Sequence, residues 1–247
     1  MHLIKNIIRS RLLASSGIYV LSNMVNALIP FLLLPVLTRV INPEEYGIYS
    51  IYIILVNGVI PFTGLAISRS ITRNHIEQDK INIAIYVTSC FFVATLSTLV
   101  VLALVFSFSD FLAELSTFPK EWLLVPIIAS YGETYLAVSL ALLQMNNKAI
   151  TFGLARISHS LLFAVSTVIF VVYLQWNWQG AVFSHALNMI LVIPITYLTL
   201  RLIGYIEWKV SYDYIIQALK YGLPMIPQVI GIVIIAMTDR IFLSHYI

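Results

Sequence analysis

The chain has 247 residues, of which 60% are hydrophobic and only 10% charged, and its mean hydropathy is +0.93. A water-soluble domain carries about 25% charged residues because water must wet its surface, so most of this surface faces lipid instead. The net charge of +3 comes without a dense basic cluster, which argues against a nucleic-acid partner, and the lone Cys90 in an apolar stretch excludes a disulfide framework or a cysteine-based metal site.

The N-terminus carries Lys5, Arg9 and Arg11 ahead of an apolar run over residues 12–41. That run is too long for the core of a signal peptide and lacks a small-residue cleavage site, so it reads as a retained first helix. A spanning helix needs about 20 mainly apolar residues to cross about 30 Å of hydrocarbon. Seven stretches qualify: residues 12–41, 48–68, 81–106, 122–144, 150–174, 180–200 and 221–246. Between them lie turn chemistry and charge, from Asn42-Pro43-Glu44-Glu45-Tyr46-Gly47 to the polar runs 69–80 and 201–220. Residues 211–220 alternate apolar and polar groups at helical spacing. They either lie along the inner membrane surface or extend the seventh helix backwards.

Charge sets the orientation. With the N-terminus inside, Lys5, Arg9, Arg11, Arg69, Arg73, Lys80, Lys148, Arg201, Lys209 and Lys220 fall on the cytoplasmic side, against Arg39 and Lys120 outside. Trp122, Trp176 and Trp178 then sit at the outer interface, where amphipathic rings are favoured. The same orientation opposes a seven-helix receptor of the G-protein-coupled type. A retinal protein needs a lysine deep in the seventh span, whereas Lys220 stands at its mouth.

Two places carry a family pattern. The first is Ser15-Ser16-Gly17, Asn23, Leu34-Pro35-Val36-Leu37-Thr38-Arg39 and then Pro43-Glu44-Glu45-Tyr46-Gly47-Ile48-Tyr49-Ser50. The second is Lys220-Tyr221-Gly222-Leu223-Pro224 with Thr238-Asp239-Arg240-Ile241-Phe242-Leu243. Together they resemble the bacterial polysaccharide flippases, the O-antigen and capsule repeat-unit translocases of the multidrug/oligosaccharidyl-lipid/polysaccharide exporter superfamily. The resemblance implies an all-α integral membrane fold, a six-helix lobe over residues 1–210, and an amphipathic linker with the first helix of a second lobe over 211–247. It implies that the chain is an N-terminal portion of a longer protein. It also implies a bacterial cytoplasmic (inner) membrane location and a role in lipopolysaccharide or capsule biosynthesis. The cargo would be an undecaprenyl-pyrophosphate-linked oligosaccharide moved by alternating access, with membrane lipids and a polysaccharide polymerase as partners. A cation-coupled multidrug exporter of the same superfamily and a noncatalytic membrane-assembly subunit are the alternatives.

An ionisable group at the bilayer centre is costly, about 2.5–3.5 kcal/mol on insertion scales, and so faces a bundle interior or a wet cavity. Glu133, mid-span between Gly132 and Thr134, would bind a coupling ion or a sugar hydroxyl, or be a satisfied buried carboxyl. Arg156 either snorkels to the headgroups or grips a pyrophosphate with its planar fork; His159 follows it by one turn. Asn188, paired at i+3 with His185, would meet sugars or act as interhelical glue. Arg69 and Arg73, one turn apart, would draw an anionic lipid head to the inner mouth or anchor the positive-inside loop. Asp239 is the second candidate for ion coupling, although beside Arg240 the structural-contact reading is slightly favoured. No Ser/His/Asp order, metal-ligand cluster or phosphate-binding glycine loop occurs, so no enzyme, cofactor or metal is expected.

Overall fold

The structure is a computed structural model; it describes the backbone of residues 2–76 and 81–246, and the side chains of 15–74, 81–228, 230 and 231. Nine α-helices account for nearly all the described backbone: α1 (His2–Val40), α2 (Pro43–Gly64), α3 (Ile67–Ile76), α4 (Ile83–Ser107), α5 (Ser109–Ser116), α6 (Val125–Met145), α7 (Ala149–Val168), α8 (Asn177–Leu202) and α9 (Tyr212–Tyr246). A helix satisfies its own backbone, which hydrocarbon cannot do for it. Six helices among the described residues are long and apolar enough to span: those containing 15–40, 43–64, 83–107, 120–145, 149–173 and 177–202. The expected seventh span lies within α9, whose side chains beyond Gly231 are outside the described residues. Residues 212–220 continue without a break into α9, so the amphipathic stretch is the backward extension of that helix.

The helices form two compact units, residues 1–49 with 139–188 and residues 50–138 with 189–247. In the first unit α1 runs along α7. Gly153 admits this approach, because a Cβ there would collide with Ser22 Oγ. Across the same seam Ser160 Oγ donates to Asn26 Oδ1, and Tyr19 meets Phe152 edge to face with centroids 5.0 Å apart. Leu33 and Leu37 of α1 and Ile41 just after it are buried with Val171 and Ala181. The loop from α1 to α2 explains part of the family pattern. Asn42 caps α2, accepting the Glu45 N–H at 2.8 Å, while Pro43 occupies the first helical position, where no N–H is needed. Glu44 and Glu45 then stand at the positive end of the helix dipole. After α7 the chain widens into a π turn, Ile169–Tyr173, and Gly180 packs against the Phe170 carbonyl.

In the second unit small residues again set the spacing, as in membrane bundles generally. A Cβ on Gly64 would lie 2.7 Å from Thr134 Oγ1, and one on Gly132 would lie 2.6 Å from the Met189 carbonyl oxygen. The expected second span was to reach residue 68, but the helix stops at Gly64. Leu65 and Ala66 then take positive φ values of 43° and 49°, and α3 starts afresh. Ile67, Ser70, Ile71 and Asn74 form the buried face of α3, at helical spacing, with Arg69 and Arg73 exposed beside it. Helix α3 packs on α4 and α9. Asn82 caps α4 with its side-chain oxygen, and its own N–H donates to the Tyr214 hydroxyl at 3.2 Å.

Candidate functional site

Two cavities with charged side chains in their lining lie in the second unit, and α3, which starts after the turn at Leu65–Ala66, contributes to both. The first, about 230 Å³, is bounded by Pro61 and Gly64 of α2, by Ser68 and Arg69 of α3, and by Glu133 and Thr134 of α6. Gly64 lets α6 come close, which brings Glu133 to the wall. Thr63 Oγ1 donates to Ser130 Oγ at 3.1 Å, fixing α2 against α6 one turn before Glu133. The redirected chain carries Arg69 to the same space. Two residues 64 positions apart in sequence, one acid and one base, thus share a cavity.

Arg73, one turn beyond Arg69, lines a different cavity of about 380 Å³ between α3 and α9. Its guanidinium lies over the Tyr221 ring, 5.4 Å from the centroid. Asp213, Gln217 and Lys220 of α9 complete the rim, with Ser70 and Asn74 on the α3 side. Ser70 Oγ is also 2.5 Å from the Tyr86 hydroxyl. The sequence singled out the arginine as a candidate for lipid contact but not its α9 neighbours; Lys220 and Tyr221 entered through the family pattern and the charge count, with no ligand role.

The other candidates belong to the first unit. Arg156 is half-buried on α7, and its Nε is shielded from solvent without a hydrogen-bond partner among the described residues. Asn188 is buried, and its amide donates to Ser166 Oγ at 2.9 Å and to the Ser184 carbonyl at 2.7 Å. His185 packs edge-on against Phe163 with centroids 5.5 Å apart. The side chain of Asp239 lies outside the described residues. Among the described residues no three His, Cys, Asp or Glu side chains gather as a metal site would require.

A feature with no single-residue signal is a hydroxyl cluster in the second unit. Thr95 Oγ1 lies 2.5 Å from the Tyr131 hydroxyl, which lies 3.1 Å from that of Tyr135. Tyr135 in turn stacks on Phe91 at 4.2 Å. Tyrosine in an apolar run is ordinary, and only the i, i+4 spacing of Tyr131 and Tyr135 hinted that two hydroxyls would meet.

Long apolar helices joined by short turns, with small residues at the seams, define a multi-pass α-helical membrane protein. The chain belongs to the polysaccharide biosynthesis protein family, which matches residues 12–247. It is 24% identical over 234 residues to Lsg locus putative protein 1 of Haemophilus influenzae, covering 93% of this chain and 56% of that protein. Among solved structures, a mutant of the Vibrio cholerae MATE transporter VcmN superposes with a TM-score of 0.73 at 13% identity, over 96% of this chain and 56% of that one. An outward-facing multidrug resistance MATE family transporter of the MOP superfamily superposes with a TM-score of 0.68 at 16% identity, over 92% of this chain and 54% of that one. The fold is therefore of the MATE type, and the chain spans about half the length of the relatives it matches.

Proposed function

We propose that the protein is a flippase that carries a lipid-linked oligosaccharide, with its undecaprenyl pyrophosphate, from the cytoplasmic to the outer leaflet. The observation that supports it is the pairing of Arg69 and Glu133 around one cavity of the membrane-spanning unit. A polar glycan and a pyrophosphate must cross hydrocarbon while the lipid tail stays in the bilayer. Arg69 offers a permanently charged fork that matches phosphate oxygens two at a time. Glu133 supplies an acceptor for sugar hydroxyls or a seat for a coupling proton or cation. Alternating access between two lobes would expose such a cavity to each side in turn. Arg156 remains a candidate for a phosphate contact, and Asn188 and Asp239 remain candidates for sugar and ion contacts. The site would sit in the bacterial inner membrane, in O-antigen or capsule biosynthesis.

The test replaces Arg69 by Ala and Glu133 by Gln in the full-length protein and measures surface polysaccharide at equal membrane levels. Each change is expected to lower export by about tenfold or more, the yield of one lost charge-assisted contact. Export at the unmodified level in both variants would overturn the assignment. The acid in the cavity also suits a cation-coupled drug exporter. Binding of organic cations by the purified protein, without binding of lipid-linked sugar, would favour that reading.

A further inference from the structure

The cavity between α3 and α9 is not needed for the cargo reading, and its lining is mixed in charge. Its two cations, Arg73 and Lys220, and its carboxylate, Asp213, are all exposed at the rim. Ser70 and Asn74 are buried below them. Asp213 forms no ion pair with Arg73 or Lys220. Tyr221 holds the face of the Arg73 guanidinium, which leaves its N–H edge available to an acceptor. The volume, about 380 Å³, far exceeds the roughly 30 Å³ share of one water molecule.

Depth in the membrane narrows the ligand. Trp208 and Tyr212, 79% and 75% exposed, stand immediately before and at the start of α9. Exposed rings of this kind mark the headgroup level. The basic residues of 69–80 and 201–220 mark that level as the cytoplasmic one. A ligand here meets two positive groups and one negative group in the lining of one cavity. An anion alone would satisfy the cations and be repelled by Asp213, whereas a phosphate carrying an ammonium two carbons away satisfies all three.

We propose that this cavity binds a phosphoethanolamine group, presented by a phospholipid of the cytoplasmic leaflet. The phosphate sits on Arg73 and Lys220, and the ammonium sits on Asp213. The bound headgroup bridges α3 to the first turns of α9, elements otherwise joined there by apolar packing and the Arg73–Tyr221 contact. The site does not depend on which cargo is carried.

Native mass spectrometry of the detergent-purified full-length protein tests this, with phosphatidylethanolamine, phosphatidylglycerol and soluble O-phosphoethanolamine as separate probes. The expected result is retention of phosphatidylethanolamine about tenfold tighter than phosphatidylglycerol, the gain from one further charge-assisted contact. Arg73→Gln with Lys220→Gln is expected to weaken both lipids by about tenfold or more. Asp213→Asn, which is isosteric and leaves both cations in place, is expected to abolish the preference between the two lipids. Unchanged retention in the double variant, or equal retention of the two lipids by the unmodified protein, would overturn the proposal. Binding of soluble O-phosphoethanolamine as tightly as the lipid would assign the cavity to a free metabolite and overturn the lipid source. None of these outcomes depends on export, so the flippase reading stands or falls separately.

Discussion

Arg156 and Asn188 both carry polar atoms into apolar helices of the first unit. Asn188 spends both amide protons, on Ser166 Oγ and on the Ser184 carbonyl. The Ser166 bond joins α8 to α7, and an interhelical hydrogen bond contributes about 0.6 kcal/mol on average and up to about 1.7 kcal/mol. Asn188→Leu should therefore lower the stability of the detergent-solubilised protein by about 1 kcal/mol. Arg156 has a shielded Nε with no hydrogen-bond partner among the described residues, and an unsatisfied buried group costs about 1–3 kcal/mol. Arg156→Met keeps an unbranched apolar stem and removes that cost, so it should raise stability by about 1 kcal/mol. Thermal unfolding in micelles checks both, and shifts of the same sign would sink the distinction. The sequence marks both residues equally, as polar groups where lipid surrounds the helix. Which of them is satisfied depends on serines 22 and 4 positions away from Asn188, one of them across a helix–helix seam, and no single-chain periodicity reports that.

At the level of elements, the most consequential local event is the break between α2 and α3. The expected span ran on to residue 68 because nothing in Gly64-Leu65-Ala66-Ile67 signals a stop beyond one glycine. The stop comes from packing. Gly64 is pressed on Thr134, Leu65 and Ala66 adopt positive φ, and the turn they make is met by α9 at Gly222. A Cβ at 222 would collide with the Leu65 carbonyl oxygen. The Gly-Leu-Pro that opens the seventh helix in the family pattern thus has a physical reason here: the helix passes over a strained turn too closely for any side chain. Gly222→Ala should destabilise by about 1–3 kcal/mol, the usual range for overpacking. Gly231→Ala is the control, since nothing lies within 4 Å of its Cβ position. On the same helix it should be neutral or stabilising by up to about 1 kcal/mol. Equal destabilisation by both would show that helix α9 merely resists substitution and that the Leu65 contact carries no weight. At the α1–α2 connection the break was readable but its extent was not: residues 43–47, expected as a turn before a span at 48, are the first turn of α2, in which Asn42, Pro43 and two Glu each have a local capping role.

For the whole molecule, the strongest signal in the sequence was the distribution of charge among apolar runs, and it needs no packing information. Spans are set by hydrocarbon thickness and orientation by lysine and arginine, so both can be read from composition along the chain. The grouping of helices into two compact units could not be read this way, because small residues at the seams look alike wherever they occur. The orientation makes a sharp prediction. Glu114 on α5 and Lys148 at the start of α7 are both exposed, and the charge pattern puts them on opposite sides of the membrane. The native Cys90 is buried, with 0% of its surface exposed, so it gives no background to thiol labelling. In spheroplasts a membrane-impermeant maleimide should label Glu114→Cys directly and Lys148→Cys only after permeabilisation. The opposite order would invert the molecule, moving the α3–α9 cavity to the outer face and removing the reason for a cytoplasmic-leaflet lipid there. Labelling of both in intact spheroplasts would mean that α6, the span between them, does not cross. Because α6 carries Glu133, that outcome would also remove the acid from the membrane and with it the cavity on which the transport proposal rests.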